Sequence, residues 1–506
     1  MYQQIKPTEV FRERELALLM EAQKRRLVLG WRLRTGRTQK ARGTIAAAVV
    51  ALLGALVVAN LMLAASSGPA HAQTTAFLVN STADQPDADT TDGKCFALNA
   101  SCTLRAAIQQ AHATPGADVI EFAISGGEVH TITPSSPLPT ITEDVTIDGY
   151  TQSGAIPNTL AKGTNAQPKI ELDGSAIPTT SRTSTGLEIL GTRAVIRGLV
   201  IHDFRVGVSV IGGAQGVSIE GNFIGTDPTG TLDEGNSSAG ILIAGGSTFS
   251  TFVGDAQPEA RNLISGNDGD GVSIGFAQRT DVADNLIGTD RSGTKPLGNS
   301  GAGVEIGTAI ETNVQRSTIA FNGSSGVVVE FGGGANAIHN NSIFSNDGLG
   351  IDLRPDSASG PIAGKTPNDG DDPNTPEVDP DSDTGANGLQ NFPVLTAAKT
   401  VSGETTIKGK LNSEPDRSYT IQFFSNPSGN EGKKFIGQMR VSTDALGNAS
   451  FTFKPSTKVA VGRRITATAT SNFTGRTLSP TAGGAEEALA LVDTSEYSAP
   501  RKVVAS

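Results

Sequence analysis

The chain has 506 residues, among them 60 Gly but only four Tyr and one Trp, and aromatic residues make up 5% of it. So few aromatic residues argue against a large globular enzyme with a tightly packed aromatic core, whereas 37% hydrophobic residues exclude wholesale disorder. The formal net charge is −11, and the part from Gln73 onward holds 29 basic and 47 acidic residues. Because such an acidic body repels phosphate backbones, we expect no nucleic-acid partner.

Residues 1–72 are predicted to be an export signal with a long basic n-region. A basic segment that ends at Arg42 precedes an uncharged apolar run over residues 44–65, and the small-residue triplet Ala-His-Ala follows at 70–72. This order is typical of a secretory signal peptide that is cleaved after Ala72. A retained membrane anchor is the alternative, because an apolar run of about 20 residues is long enough to span a bilayer. Under either interpretation we expect a secreted or cell-surface protein whose only membrane contact is this segment.

The chain contains two cysteines, Cys95 and Cys102, and both follow the predicted cleavage site. In an exported protein, a pair seven residues apart predicts one disulfide that closes a small loop. Two buried thiols are the alternative. A metal site is disfavoured because no pair of histidines lies nearby.

The segment around the cysteines carries a specific pattern. A strand-like stretch and an Asp-rich loop precede Cys95, and Cys102 leads directly into Thr-Leu-Arg-Ala-Ala-Ile at 103–108. This pattern resembles the CSLREA domain, which occurs near the N-terminus of exported bacterial proteins that often continue into a parallel β-helix. Ala106 stands where the family pattern has Glu, so a salt bridge made by that Glu would be absent. The resemblance implies that residues 73–135 form a CSLREA-like unit.

Within this unit, Thr103 to Ala113 predicts a short amphipathic helix. Leu104, Ile108 and Ala111 share one face, and Thr103 is a candidate N-cap. A helix followed by short strands suits a cap over the open end of a solenoid, because exposed strand edges there invite aggregation.

Residues 136–358 are predicted to form a parallel β-helix, because this region repeats. Copies begin at residues 198, 222, 262, 285, 317 and 341. A glycine stands nine residues after most starts and is followed by an alternating apolar strand, while the copies at 222 and 285 carry a nine-residue insertion around Ile-Gly-Thr-Asp. Without the insertions the period is near 23 residues, and short strands with Asn and Gly turns at this period are typical of a parallel β-helix.

The repeats are similar to the PbH1 class of right-handed β-helices, whereas a β-propeller would need longer blades. A polar residue recurs five residues after the start of four copies, where the backbone must turn sharply. We expect these residues to stack as a ladder that comprises Asp203, Asn267, Asn322 and Asn346.

Residues 359–391 are predicted to be an acidic linker. Asp379, Asp381 and Asp383 place carboxylates on alternate residues before a glycine, as in many oxygen-rich calcium loops. The full spacing and the terminal Glu of an EF-hand loop are missing. Calcium is therefore the one candidate cofactor, and a plain solvated linker is the alternative.

From residue 392 to 500 the chain has short alternating strands separated by turns rich in Gly, Asn and Pro, and 501–506 is a tail. This pattern predicts a β-sandwich of immunoglobulin-like type without a cysteine pair. The whole sequence thus predicts an all-β protein: a right-handed parallel β-helix with an N-terminal helix-containing cap and a C-terminal immunoglobulin-like sandwich.

Two aspartates are the strongest candidates for catalysis. Asp227 and Asp290 occupy equivalent positions in the two inserted loops. If one coil separates theirs, they lie roughly 10 Å apart by strand spacing. This is at or beyond the long end for the paired carboxylates of inverting glycosidases. Turn formation in a Gly-rich loop is the simpler explanation for both residues.

Other acid–base candidates are weaker. Three arginines could act as lyase bases only if the fold clusters them, which their spacing does not show: Arg261, Arg279 and Arg291. Four histidines fall at unrelated repeat offsets and do not predict a catalytic pair: His112, His130, His202 and His339.

We therefore predict a non-catalytic, exported β-helical surface or extracellular protein with a structural or adhesive role. The inserted loops are expected to project from one side and to contact an extracellular glycan or a surface protein. The alternative is a polysaccharide lyase or glycoside hydrolase of the pectin-lyase-like β-helix class, which analogy of fold favours.

Overall fold

The structure, a computed structural model, describes residues 74–98, 100–178, 184–330, 332–355, 364–368, 385–472 and 493–505. The predicted signal, with its apolar run and cleavage site, lies outside these residues. In the part of the chain that is described, no helix is both long and apolar enough to cross a membrane.

One α-helix, α1 (Leu104–Ala113), is present in the described residues, with short 3₁₀ turns at Gly149–Thr151, Pro258–Ala260 and Ala386–Leu389. In chain order the strands are β1 (Ala76–Val79), β2 (Asp118–Phe122), β3 (His130–Ile132), β4 (Val145–Asp148), β5 (Ile170–Asp173), β6 (Thr185–Ile189), β7 (Val195–Arg197), β8 (Leu199–His202), β9 (Val206–Val210), β10 (Ser218–Glu220), β11 (Phe223–Ile224), β12 (Ala239–Ala244), β13 (Phe252–Val253), β14 (Leu263–Ile264), β15 (Asp270–Gly275), β16 (Asp281–Ala283), β17 (Leu286–Ile287), β18 (Val304–Ile306), β19 (Asn313–Gln315), β20 (Thr318–Ala320), β21 (Val327–Val329), β22 (Ala337–His339), β23 (Ser342–Phe344), β24 (Ile351–Leu353), β25 (Val394–Val401), β26 (Glu404–Asn412), β27 (Ser418–Asn426), β28 (Lys434–Ser442), β29 (Asn448–Phe453), β30 (Arg464–Asn472), β31 (Arg501–Lys502) and β32 (Val504–Ala505).

The first 24 strands form the three parallel sheets of a β-helix. The first sheet has the order β1-β2-β4-β7-β10-β13-β16-β19-β22, the second β3-β5-β8-β11-β14-β17-β20-β23, and the third β6-β9-β12-β15-β18-β21-β24. Each complete coil contributes one strand to each sheet, so equivalent residues of successive coils lie about 4.8 Å apart. The predicted fold class is confirmed.

Columns of identical side chains fill the inside of the coils. Pairing of the second sheet aligns one isoleucine from each of six consecutive rungs, and none of the six is accessible to solvent. They are Ile201, Ile224, Ile264, Ile287, Ile319 and Ile343. Complete burial of one such side chain contributes about 1.5–3 kcal/mol, so the column is a main source of stability.

The predicted polar ladder exists, but its membership differs from the expectation. Each ladder asparagine after the first accepts hydrogen bonds from the backbone N–H and the side-chain Nδ2 of its neighbour one coil earlier. Its members are Asn236, Asn267, Asn299, Asn322 and Asn346. Phe204 occupies the ladder position in the earlier coil, and its N–H donates to Oδ1 of Asn236 at 3.1 Å. Asp203 precedes this position in the left-handed conformation (φ 58°) and is not part of the ladder.

The N-terminal cap is built as predicted. Thr103 is the N-cap of α1, and its Oγ1 accepts from the N–H of Ala106 at 3.0 Å. The apolar face of α1 packs against β1 and β2 and joins the interior of the coils through Leu104 and Ile108. Cys95 and Cys102 form the predicted disulfide. A buried helix and its crosslinked loop therefore continue the core at this end.

Strands β25–β32 form a two-sheet sandwich, with the orders β29-β26-β25-β32 and β28-β27-β30-β31. Its core contains Phe423, whose ring stacks on that of Phe453 with centroids 4.3 Å apart. The sandwich also pairs with the last rung of the second sheet, because Ile343 and Gly432 exchange backbone hydrogen bonds of 3.1 and 2.9 Å. It thus closes the C-terminal end of the β-helix.

The sandwich supplies hydrogen-bond partners to polar groups of the last coils. Oε1 of Glu431, from the sandwich, accepts from Nδ2 of Asn346 at 3.0 Å and so terminates the ladder. Gln422 exchanges hydrogen bonds of 2.9 Å with Asn340 in both directions. Glu496 accepts from the N–H of Leu353 at 3.1 Å. The sandwich therefore acts as the C-terminal cap of the solenoid.

Candidate functional site

The outer face of the second sheet collects the polar side chains that bear on function. Along β8, Leu199 and Ile201 join the coil core, whereas Val200 and His202 alternate with them and point outward. Along this face lie a carboxylate–histidine cluster, then an apolar strip under three loops, and then a basic groove beside the sandwich.

The apolar strip is covered by residues 158–166 and by the two inserted loops, 226–234 and 289–297. Its members are all buried: Ala166, Val200, Phe223, Leu263 and Leu286. Arg291 ties the loops together, because its guanidinium donates to the carbonyl oxygens of Thr164, Ala166 and Thr229 at 3.0–3.2 Å. Parts of both inserted loops therefore lie against the sheet, whereas other residues of them, such as Leu232 and Lys295, are exposed.

Asp227 holds the first inserted loop in shape. Its carboxylate accepts from the N–H and the hydroxyl of Thr229 at 3.1 and 2.6 Å, and from the N–H groups of Thr231 and Leu232 at 2.9 Å. Burial raises the pKa of this carboxyl, but these hydrogen bonds outweigh it and hold the pKa below its usual range. The carboxylate is therefore ionised and its acceptor positions are occupied by the loop itself.

Asp290 repeats this arrangement in the second inserted loop. It accepts from the N–H and the hydroxyl of Ser292 at 3.1 and 2.6 Å, and its pKa is likewise lowered against the effect of burial. Asp227 follows β11 and Asp290 follows β17, with β14 between them in the sheet. Two rungs thus separate them, about 10 Å by strand spacing.

The basic groove is a cavity of about 700 Å³ between the β-helix and the sandwich. One wall is the outer face of β17, β20 and β23, and the other is formed by Pro427, residues 433–435 and Arg463. Among the described lining residues, Asp284 is the only acid. The basic lining residues are Lys162, Arg261, Arg316, Lys433, Lys434 and Arg463. The groove is therefore strongly positive on a chain whose body is strongly negative.

Contacts between the two walls fix the groove. Nζ of Lys433 lies 3.8 Å from the centroid of the Phe344 ring, a cation–π contact. Oγ of Ser342 donates to the carbonyl oxygen of Lys433 at 2.6 Å. Phe435 leaves 38% of its surface exposed at the rim. Cationic heads and aromatic edges are thus held together on a rigid frame.

Two arginines of the groove differ in availability. Arg261 is 8% exposed and donates to the carbonyl oxygens of Leu160, Gly163 and Asp284 at 2.8 Å, so it is structural. Burial lowers the pKa of Arg261 from its ordinary value. Arg316 pairs with Asp284 at 2.6 Å and keeps 38% of its side chain exposed. Arg316 therefore remains accessible to a ligand.

The three arginines considered as lyase bases are not brought together as one catalytic group. Arg261 and Arg291 each tie loops together through backbone carbonyl oxygens. Arg279 pairs with Glu311 at 2.7 Å and stacks over Phe249, with 4.8 Å from its Cζ to the ring centroid.

The carboxylate–histidine cluster gathers around His202. Nε2 of His202 lies 3.3 Å from Oε1 of Glu171 and 3.5 Å from Oε2 of Glu234, and Nδ1 lies 2.9 Å from Oδ2 of Asp203. Burial lowers the pKa of His202, but its carboxylate neighbours more than offset this and raise the pKa to about 9. The same contacts with His202, helped by Thr131, lower the pKa of Glu171 against the effect of burial.

The remaining predicted site residues fall elsewhere. Burial lowers the pKa of both His112 and His339, which lie on α1 and on β22 of the first sheet. His130 begins β3 and is buried. The candidate calcium ligands Asp379, Asp381 and Asp383 lie outside the described residues, and calcium binding there stays a prediction.

Sequence reasoning missed the groove and the partners of His202. The groove joins residues that are more than 100 positions apart, such as Arg316 and Lys433, and no local pattern marks them. The cluster did leave a signal. Glu234 follows His202 by 32 residues, which is the length of one coil with an insertion, so the repeat places the two at equivalent positions.

Comparison with protein-family models and with curated proteins found no match. Among solved structures, the periplasmic alginate epimerase AlgG is similar over 49% of this chain and 69% of its own, with 11% identity and a TM-score of 0.25. The A-module of the Azotobacter vinelandii mannuronan C-5 epimerase AlgE6 is similar over 54% and 79%, with 16% identity and a TM-score of 0.27. Pectate lyase Pel9A is similar over 56% and 69%, with 13% identity and a TM-score of 0.26. These values concern the fold alone, and the resemblance of residues 73–135 to the CSLREA domain stays a prediction.

Proposed function

We propose that this chain is an exported β-helical protein of the cell surface or the extracellular space that binds an acidic polysaccharide in the basic groove without turning it over. The observation that supports this most is the charge of the groove, whose described lining carries six basic side chains and one acidic one. The chain as a whole has a net charge of −11, so the charge of the groove is opposite in sign to that of the whole chain. Such a groove concentrates polyanions at its surface.

The chemistry of the lining fits a glycan with carboxylate or sulfate groups. Lysine and arginine heads pair with these anions, and the exposed ring of Phe435 offers apolar contact to a sugar ring. The groove is open and fixed on both walls, so binding needs no rearrangement of the β-helix or the sandwich. An extended polymer that follows the sheet face suits this geometry better than a small ligand does.

The non-catalytic part of the proposal depends on the acids available at the groove. Hydrolysis of a glycosidic bond needs two carboxyl groups in acid and base or nucleophile roles. Asp284 is the acid in the described lining, and Arg316 pairs with it at 2.6 Å. Asp227 and Asp290 are committed to their own loops. The acids of the groove therefore favour binding over glycoside hydrolysis, and the lyase alternative is tested by the release of unsaturated sugars.

The test compares charged and neutral glycans on the full secreted chain. Immobilised polygalacturonate, alginate and a sulfated glycan should bind, and dextran of similar length should not. Between about 0.01 M and about 1 M salt the Debye length falls from about 30 to about 3 Å, so binding should weaken steeply over this range. Equal binding of dextran, or no binding of any acidic glycan, would contradict the proposal.

Charge-removing variants locate the site. Lys434→Gln combined with Arg463→Gln removes two positive groups of the groove and should weaken binding about tenfold, since about 1.4 kcal/mol corresponds to that factor. The matched control is Lys408→Gln with Lys410→Gln, two exposed positions of β26 in the other sheet of the sandwich. The control should bind as the unchanged chain does. Release of unsaturated or reducing sugars in the same assay would instead support an enzyme.

A further inference from the structure

A second site lies at the other end of the same sheet face, independent of the polysaccharide proposal. Glu171 on β5 and His202 at the end of β8 point outward from neighbouring rungs. Glu234, the last residue of the first inserted loop, lies beside them. Nε2 of His202 and one carboxylate oxygen from each glutamate all lie within 4.8 Å of one another.

The inserted loop explains why Glu234 reaches this place. Asn236 accepts from the N–H of Phe204, so the two residues occupy equivalent positions of adjacent coils. His202 and Glu234 stand two residues before them and are therefore equivalent as well. Later coils carry Ser265, Leu297, Ala320 and Phe344 at this position, two residues before each ladder asparagine. Among these coils, only the two that carry His202 and Glu234 have an ionisable side chain at this position.

The buried Nε2 of His202 has no hydrogen-bond partner, although His202 is only 5% exposed. The two nearest carboxylate oxygens lie 3.3 and 3.5 Å away, beyond the usual 2.7–3.2 Å range of an N–H···O bond. An ion coordinated tetrahedrally at about 2.0–2.1 Å holds its ligand atoms about 3.3–3.4 Å apart. The observed separations match those of ligands that share one metal ion.

The surroundings orient the ligand atoms as metal sites require. Nδ1 of His202 lies 2.9 Å from Oδ2 of Asp203, and Nε2 faces the two glutamates. Oγ1 of Thr131 donates to Oε2 of Glu171 and so leaves Oε1 for the ion. Ligating histidines commonly donate their second N–H to a carboxylate, and ligating carboxylates are hydrogen-bonded in turn. Both outer partners are therefore in place.

We propose that Glu171, His202 and Glu234 bind a divalent transition-metal ion, of the chemical class of Zn²⁺, on the outer face of the second sheet. One imidazole with two carboxylates suits Zn²⁺ and its first-row neighbours, whereas Ca²⁺ takes six to eight oxygen ligands. Glu234 keeps 38% of its side chain exposed, so the fourth position opens to solvent. Three protein ligands with an open position allow the ion to take a ligand from outside.

The test uses the full chain without a polyhistidine tag, stripped with a chelator and dialysed. Titration with Zn²⁺ against a chromophoric chelator should show one equivalent bound per chain, with a rise in melting temperature. Co²⁺ in place of Zn²⁺ should give the visible absorption of a four-coordinate ion. No saturable uptake of either ion would overturn the proposal.

Variants separate ligands from neighbours. Glu234→Gln and His202→Gln should each weaken Zn²⁺ binding at least about a hundredfold, and Asp203→Asn, the outer partner, about tenfold. His339→Gln is the matched control, a partly exposed histidine on a different sheet, and should bind normally. Glu234 is half-exposed, so its variant serves if His202→Gln does not fold. Binding that survives both ligand variants, or that is lost in the control, would refute the assignment.

Discussion

The asparagine ladder predicts that one buried amide in mid-solenoid carries a large share of local stability. Asn267 is inaccessible to solvent. Its Oδ1 accepts from the N–H and Nδ2 of Asn236 at 3.3 and 2.9 Å, and its Nδ2 donates to Oδ1 of Asn299 at 2.8 Å. The replacement Asn267→Ala removes both ends of this exchange at once.

The expected magnitude follows from the groups that lose a partner. The backbone N–H of Asn236 and one of its side-chain N–H groups remain buried without their acceptor. Each unsatisfied buried donor costs about 1–3 kcal/mol, so the free energy of unfolding should fall by about 2–6 kcal/mol. Oδ1 of Asn299 still accepts from the backbone N–H of residue 267 at 3.2 Å, so the loss of the Nδ2 donor adds little to the cost.

Urea unfolding followed by circular dichroism measures the change, and a matched variant provides the reference. Asn313→Ala removes the same side chain from the outer face of β19, where Asn313 is half-buried and its Nδ2 donates to Oδ1 of Asp281 at 3.4 Å. This variant should lose less than about 0.5 kcal/mol, as is usual for surface positions. If Asn267→Ala costs no more than Asn313→Ala, the ladder does not stabilise the coils in the way argued.

Two further perturbations test the ends of the molecule. Reduction of the bond between Cys95 and Cys102 should cost about 2–3 kcal/mol, by the entropy of so small a loop, and should speed hydrogen exchange in α1 before the coils respond. At the other end, burial raises the pKa of Glu496 to about 8 and lowers the pKa of Lys365 to about 8. Below pH 8 the folded chain keeps a proton on Glu496 that the unfolded chain has lost, so the free energy of unfolding falls as pH rises. Above pH 8 the unfolded chain keeps a proton on Lys365 that the folded chain has lost, so the free energy of unfolding rises again. The contribution of this pair to the free energy of unfolding should therefore have a minimum near pH 8. The difference in melting temperature between Glu496→Gln and the unchanged chain, measured against pH, should show the fall that leads to this minimum.

The repeat made the β-helix predictable because identical side chains must stack on one another. Ile264 and Ile287 stand 23 residues apart in sequence and pair directly in the second sheet. The nine-residue insertions hid part of the ladder, since they displace Asn236 and Asn299 from the expected offset. Each nine-residue insertion leaves the sheet as a loop, and the strands before and after it keep their register with the neighbouring coils. Alignment of the repeats after removal of the insertions would have found both asparagines.

The functional sites were less predictable, because they depend on how separate elements meet. The groove exists only where the sandwich docks on the last coils, and this docking uses contacts such as Glu431 with Asn346 that no periodicity announces. The sequence predicts an acidic linker before the sandwich but does not predict that the sandwich caps the solenoid. The sites of a solenoid can thus be predicted where they follow its period and not where a cap creates them.

The two proposed sites lie on the outer face of the second sheet, at opposite ends of the apolar strip. The three loops cover this strip and separate the two sites. From β8, which carries His202, to β20, beside Arg316, there are four rungs, about 19 Å by strand spacing. This separation exceeds a Debye length of about 8 Å at physiological salt, so the charge of the bound metal ion barely reaches the groove. Loss of the metal through Glu234→Gln should therefore leave the binding of a short acidic oligosaccharide unchanged, and only a polymer long enough to span the loops would sense both sites.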